Sequence, residues 1–326
     1  MSLIALDCTM RDGGYYTNFE FDLSLVNTYL EVMELAKIDA VEVGFRSPSK
    51  EKADTFANVT DEFIEEVLYI PNIRYFGVMI NAKSFDRKLI TQMFRESYQS
   101  PINLVRVAVH FIQLDQAEEL LKELKDLGYT TTINLMQAAD KSYDEIRSAA
   151  ETVRSWRAVD VLYLADSLGG MNHDTVNYAF QAIREGWNGL VGFHGHNNKG
   201  QSLSNTLEAI DIGVDWVDGT MMGMGRGAGN TETEYLLNEL NKRNFEFENQ
   251  YVEELAMVHF YEMKTKYKWG PSLPYYLAAE YSIHPTYVQI MLAEQDIVTV
   301  YNAIRYLEDK ESNTFNKELY QEAINV

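Results

Sequence analysis

One cysteine, Cys8, is all the thiol this 326-residue chain carries. No intrachain disulfide can form, so packing alone must hold the fold, as in a reducing cytoplasm. Cys8 sits inside an apolar run and reads as a small core residue. Basic side chains are also scarce. There are 28 Lys and Arg against 49 Asp and Glu, a net charge of −21. A field of that sign repels phosphate backbones and anionic bilayers, so neither nucleic acid nor a membrane surface is an expected partner. The first residues, Met1 to Asp7, show no basic segment and no long apolar stretch, so neither a signal peptide nor a membrane span is expected. A Gly-x-Gly-x-x-Gly turn after the first strand is absent as well, which argues against a doubly wound nucleotide-binding sheet.

What is present repeats. Apolar, β-branched runs recur at 3–9, 40–45, 74–80, 103–109, 130–135, 159–165, 190–194 and 215–219. Between them lie segments of helical period, such as Leu23, Val26, Leu30 and Met33, or Val176, Ala179, Phe180 and Ile183. Gly128, Gly186 and Gly213 read as helix stops before strands. Eight strand–helix alternations predict an α/β fold, a TIM (β/α)8 barrel over residues 1–245. A glycine-rich loop, Met222 to Asn230, follows the eighth run, and a helix over 231–242 is expected to close the barrel. Residues 246–326 read as a helical, aromatic-rich C-terminal domain that packs on the barrel and on a second copy, giving a homodimer.

In such a barrel the chemistry gathers at the C-terminal ends of the strands. His194 and His196 stand two apart at the end of the seventh run, and residues i and i+2 of a strand share a face. Asp12, just after the first run, offers a third ligand. Two imidazoles and a carboxylate with open positions suit a divalent metal; Mn²⁺ is expected, with Mg²⁺, Co²⁺ and Zn²⁺ as alternatives. Such an ion polarises the ketone of a 2-oxo acid. Arg11 is placed to receive enolate charge, and Ser167 either holds the substrate carboxylate or caps the next helix. Arg106 is expected in buried pairing, and Asn198 is expected to orient a histidine. His110 is open between a structural and a site role. His173, His259 and His284 have no pattern around them. Tyr15 or Tyr16, after the Gly13-Gly14 pair, falls near substrate.

These stretches resemble a known family. Leu6-Asp7-Cys8-Thr9-Met10-Arg11-Asp12-Gly13-Gly14 and His194-Gly195-His196-Asn197-Asn198 are similar to the strand-one and strand-seven signatures of the metal-dependent pyruvate-enolate lyases, the HMG-CoA lyase-like or DRE-TIM metallolyase superfamily. The stretches 105–110, 165–171 and 222–230 resemble its 4-hydroxy-2-oxovalerate aldolase branch. The resemblance covers about residues 3–240. It implies retro-aldol cleavage of a 4-hydroxy-2-oxo acid to pyruvate and an aldehyde, with Asp12, His194 and His196 on the metal, Arg11 on the enolate and Ser167 on the carboxylate. Where that branch carries a basic histidine this chain has Tyr15, so Tyr15 or another group must move the proton. An aldehyde dehydrogenase partner, found in that branch, is not assumed here.

Other readings compete. A Claisen-type acyltransferase on the same barrel would condense an acyl-CoA with a 2-oxo acid. A non-catalytic scaffold would not need the intact Arg11-Asp12 and His194-x-His196 pairs. A Schiff-base aldolase needs a lysine inside the barrel. The run Val161 to Asp166 has none, and Lys199 reads as a loop charge.

Overall fold

The structure, a computed structural model, describes residues 3–49 and 55–326. Eight parallel strands close a barrel in chain order: β1 (Ile4–Asp7), β2 (Ala40–Phe45), β3 (Tyr75–Asn81), β4 (Leu104–His110), β5 (Thr130–Met136), β6 (Val161–Asp166), β7 (Leu190–Gly195) and β8 (Trp216–Gly219). Strand β8 returns to β1 with Ile4 opposite Trp216. Each expected run overlaps its strand, with ends that agree to within two residues. The TIM barrel is therefore the observed fold, with helices outside and a helical C-terminal region.

Alternation along the strands explains the two cores. Outward residues such as Val41, Val43, Val105, Val107, Leu162 and Leu164 pack against the helices. Inward residues near the strands' N-terminal ends, among them Leu6, Ala40, Leu104, Tyr163 and Trp216, fill the barrel itself. Gly192 belongs to that filling, because a Cβ there would lie 2.5 Å from the Tyr163 ring. Helices start on side-chain caps such as Asp22, Thr60, Asp86 and Asn172, which accept from first-turn N–H groups. Gly128 and Gly213 follow helices with φ of +88° and +91°, the expected stop geometry. Gly186 does not. It is the last residue of helix His173–Gly186, and a Cβ there would sit 2.5 Å from the Arg147 carbonyl oxygen. Close helix–helix approach, not a left-handed cap, explains this glycine.

The barrel-closing helix runs over Thr233–Lys242. Beyond it Val252, Leu255, Phe260 and Trp269 join the barrel's main hydrophobic core. Helices Leu273–Glu280, Pro285–Glu294, Ile297–Leu307 and Lys317–Ala323 build a second core around Tyr287, Met291, Ile304 and Leu307. Ala228, from the glycine-rich loop, belongs to this second core and ties it to the barrel mouth. Among the described residues no helix is long and apolar enough to cross a membrane.

Candidate metal centre and substrate cavity

The C-terminal ends of the strands open into a cavity of about 360 Å³. Its wall includes Met79 and Asn81 of β3, Ala108 and His110 of β4, Asn134 and Met136 of β5, and Ala165 of β6. Each pair is spaced by two, as an inward-facing strand surface requires.

Asp12 does not end a strand. β1 stops at Asp7, whose Oδ1 accepts from the Thr9 N–H at 2.8 Å and starts a one-turn helix, Thr9–Asp12. That turn lifts Arg11 and Asp12 over the barrel. Thr9 anchors it from the other side, accepting from the Met221 N–H at 2.8 Å. Both residues are buried and face each other, Arg11 to Asp12 at 2.9 Å. Opposite them, His194 and His196 bring their ring centres to 5.0 Å. Ligand atoms of Asp12, His194 and His196 all lie within 4.8 Å of one another.

The donor set fits a divalent cation. All three side chains are buried, and among the described residues neither nitrogen of His196 has a hydrogen-bond partner, nor does Nε2 of His194. Orphaned polar atoms are costly in a buried site unless something else meets them. Burial, then the charge of His194, pushes His196 well below the ordinary histidine range, so it stays neutral, as a ligand must. Burial opposes charge on Asp12, yet Arg11 and His194 hold its carboxyl well below the usual range. Cys8, His194 and Asp218 also approach one another. That set is a poorer one: burial pushes the Cys8 thiol up, and Asp218 is already engaged.

Asp218 is the residue the sequence reading missed. Its Oδ2 lies 2.9 Å from His194 Nδ1 and 2.6 Å from an Arg106 nitrogen. The carboxylate draws the imidazole proton to Nδ1 and leaves Nε2 aimed at the Asp12 side, where Oδ2 is 3.2 Å away. Asn198 was expected in this role. It makes no hydrogen bond to either histidine. Asn230 acts on the other ligand, donating to Asp12 Oδ2 at 2.6 Å. The signal for Asp218 was available, as a lone acid two residues after Trp216 on the inward face of β8.

Below the ligand set lies an ionic layer. Arg106 sits 3.3 Å from Glu42 and stacks at 4.3 Å on the Tyr163 ring. Glu42 also accepts from Arg11 Nε. The expected buried pairing of Arg106 is thus observed. Arg11 keeps one end for this layer and the other for the cavity.

Around the cavity, Ser167 is buried and accepts from the Gln137 N–H at 3.0 Å. It does not cap the next helix, since Asn172 does. Tyr15 lines the wall, with its ring edge-on to Phe19 and Phe45. Tyr16 turns away and donates to the Gly227 carbonyl at 2.6 Å. His110 is a wall residue, not merely a structural one. His284, with Thr314 and Phe315, reaches the same cavity from the C-terminal helices. No sequence pattern marked His284, because only tertiary packing brings it there. His173 pairs with Glu208 on the surface, and Lys199 pairs with Glu280 at 2.9 Å.

The model of the HMGL-like family matches residues 2–259. The chain belongs to the HMGL-like family. It is 30% identical over 247 residues to a 4-hydroxy-2-oxovalerate aldolase of Pelotomaculum thermopropionicum, covering 74% of this chain and 70% of that one. It is also 30% identical to an oxaloacetate decarboxylase of Mycobacterium tuberculosis, with 74% and 70% covered. Among solved structures, the N-terminal domain of a proposed aldolase from Bacteroides vulgatus superposes with a TM-score of 0.80 at 30% identity, over 90% of this chain and 97% of that one. The carboxyl transferase domain of Rhizobium etli pyruvate carboxylase shares the fold at 14% identity, with a TM-score of 0.71 over 99% of this chain and 61% of that one. This HMGL-like barrel therefore has relatives in more than one branch of 2-oxo acid chemistry.

Proposed function

We propose that this protein is a divalent-metal-dependent aldolase, a carbon–carbon lyase that splits a 4-hydroxy-2-oxo acid into pyruvate and an aldehyde. The observation that carries the reading is the meeting of Asp12, His194 and His196 within 4.8 Å, beside Arg11. The relatives named 4-hydroxy-2-oxovalerate aldolase support the reaction type.

When bound by those three residues, a divalent ion, Mn²⁺ in our assignment, supplies Lewis acidity at the 2-oxo group. The remaining work falls to the protein. Ser167 donates to the substrate carboxylate. Tyr15 relays the proton of the C4 hydroxyl. As the C3–C4 bond breaks, its electron pair moves toward the C2 carbonyl and the aldehyde leaves. Arg11 turns its free N–H groups to the oxygen that gains this charge. Protonation of C3 then yields pyruvate. Asp218 keeps the His194 proton on Nδ1 throughout. A homodimer acting in the cytoplasm completes the proposal.

The test needs no knowledge of the aldehyde. Protein, Mn²⁺ and pyruvate in D₂O are expected to exchange the pyruvate methyl protons, EDTA to stop the exchange and Mn²⁺ to restore it. Exchange that ignores chelators overturns the reading. A second outcome has its own support in the relative named oxaloacetate decarboxylase. Loss of CO₂ from C3 of oxaloacetate gives the same enolate without a C4 hydroxyl. Decarboxylation insensitive to Tyr15→Phe would favour it.

A further inference from the structure

The cavity wall is cationic in a strongly acidic protein. Among the described residues that line it Asp12 is the only carboxylate, against Arg11, Lys83 and Arg226, while the chain as a whole carries −21. Arg11 is answered by Asp12 and Glu42. Among the described residues Lys83 and Arg226 have no carboxylate within ion-pair distance, and the buried Arg226 Nε has no acceptor. We infer that the substrate carries a second anionic group, a phosphate ester or a carboxylate, on its aldehyde-derived end, gripped by Lys83 and Arg226 at the rim of this cavity. The inference rests on the aldolase reading and adds the substrate class to it.

Geometry places the two cations around one space. Lys83 follows β3, and Arg226 comes from the glycine-rich loop after β8, across the mouth. His110 and His284 line the same cavity. His284 Nδ1 accepts from the Thr286 N–H at 3.4 Å, which leaves its proton on Nε2 as a donor. Burial, then the charge of Arg226, pushes His284 down to about 3, so it donates as a neutral group. The Arg226 guanidinium lies 5.3 Å over the Tyr15 ring, which fixes it beside the proposed relay at C4. An anion held there would be joined to the departing aldehyde and not to the pyruvate half. Space agrees. A cavity of about 360 Å³ is more than a three-carbon acid fills. An arginine fork with a lysine and imidazole N–H groups is suited to phosphate or carboxylate oxygens.

Calorimetry with Mn²⁺-loaded protein tests this directly. Glyceraldehyde 3-phosphate is compared with glyceraldehyde, and succinic semialdehyde with butanal. At least one anionic aldehyde should bind 10-fold or more tightly than its neutral counterpart; the larger ratio identifies phosphate or carboxylate. In K83Q/R226Q that ratio should collapse below 3-fold, while K83R/R226K should keep most of it. If R226Q does not fold, K83Q alone, an exposed position, should at least halve the ratio. Equal binding of charged and neutral aldehydes, or a ratio untouched by K83Q/R226Q, overturns the inference. Methyl exchange of pyruvate is read in parallel. Exchange without anion preference removes the subsite and spares the aldolase. Anion preference without exchange removes the enolate chemistry and spares the subsite.

Discussion

On the floor of the cavity Arg11 lies between Asp12 and Glu42, and Arg106 between Glu42 and Asp218; on the rim Lys83 and Arg226 stand without a carboxylate among the described residues. The floor is built by strand ends and the turn after β1, and all five of its charged residues are buried. Three carboxylates against two guanidiniums leave it one negative charge in excess. That excess suits a divalent cation and then a 2-oxo acid anion. The rim is built by loops and by the C-terminal helices, and its spare charge is positive. One part of the cavity is arranged for a constant reaction, the other for choosing what is attached to it.

The sharpest way to break this comparison is at the ligands. His194→Ala or Asp12→Ala should lower pyruvate methyl exchange by roughly 10³-fold, because the Lewis acid contributes several kcal/mol to the barrier. Metal content of the purified variants should fall with it. Retained exchange in a metal-free His194→Ala protein would remove the floor's assigned role.

Next in size is the ionic layer. Arg106→Leu takes the guanidinium from the buried Asp218, leaving it only His194, and leaves Arg11 as the one counter-charge of Glu42, which should cost about 3–5 kcal/mol of folding stability. Lys83→Gln, with no carboxylate partner among the described residues, should stay within about 0.5 kcal/mol. Urea midpoints of the two variants measure the difference. Equal midpoints would show that floor and rim charges are not the distinct kinds described here.

Arg11→Ala should follow, at about 3 kcal/mol in the barrier, roughly 100-fold, if the guanidinium meets charge that appears only in the transition state. The loss should fall on kcat. A rise in KM alone would make Arg11 a ground-state contact.

The contrast between floor and rim is also the line along which the sequence was legible. Strand alternation placed His194 and His196 on one face, and the order of runs placed Asp12, Glu42 and Arg106 near them. Local period carries that information. Asp218 was hidden in plain view because an acid inside an apolar run was read as part of the strand. Asn198 looked like a histidine partner by proximity in sequence, but the bridge between His196 and Asn230 brings the Asn230 side chain to Asp12 instead. The place of His284, and the lack of a carboxylate beside Arg226 among the described residues, could not be read at all. They depend on where a helix of the second core docks over the mouth, and no spacing rule encodes that.

The smallest predicted effect lies at the foot of the rim. Glu234 is buried and accepts from the Met222 N–H at 3.0 Å, while Lys264 and Trp269 donate to the Met222 carbonyl oxygen at 3.0 and 2.9 Å. Met222, at φ 50°, begins the loop that carries Arg226. Burial raises the Glu234 carboxyl from 4.5 to about 7. A raised acid favours the folded state fully only below its unfolded pKa, and that contribution is lost as pH climbs through 7. Glu234→Gln keeps an acceptor oxygen for Met222 and removes the titration. Between pH 5 and pH 8.5 the wild-type protein should therefore lose about 2 kcal/mol relative to Glu234→Gln. Melting temperatures across that range read the gap, and the exposed Lys83→Gln variant should run parallel to wild type. A gap that stays flat, or widens toward acid, would mean that the carboxylate is paired in its charged form, and the rim loop would then rest on an ion pair and not on a neutral hydrogen bond.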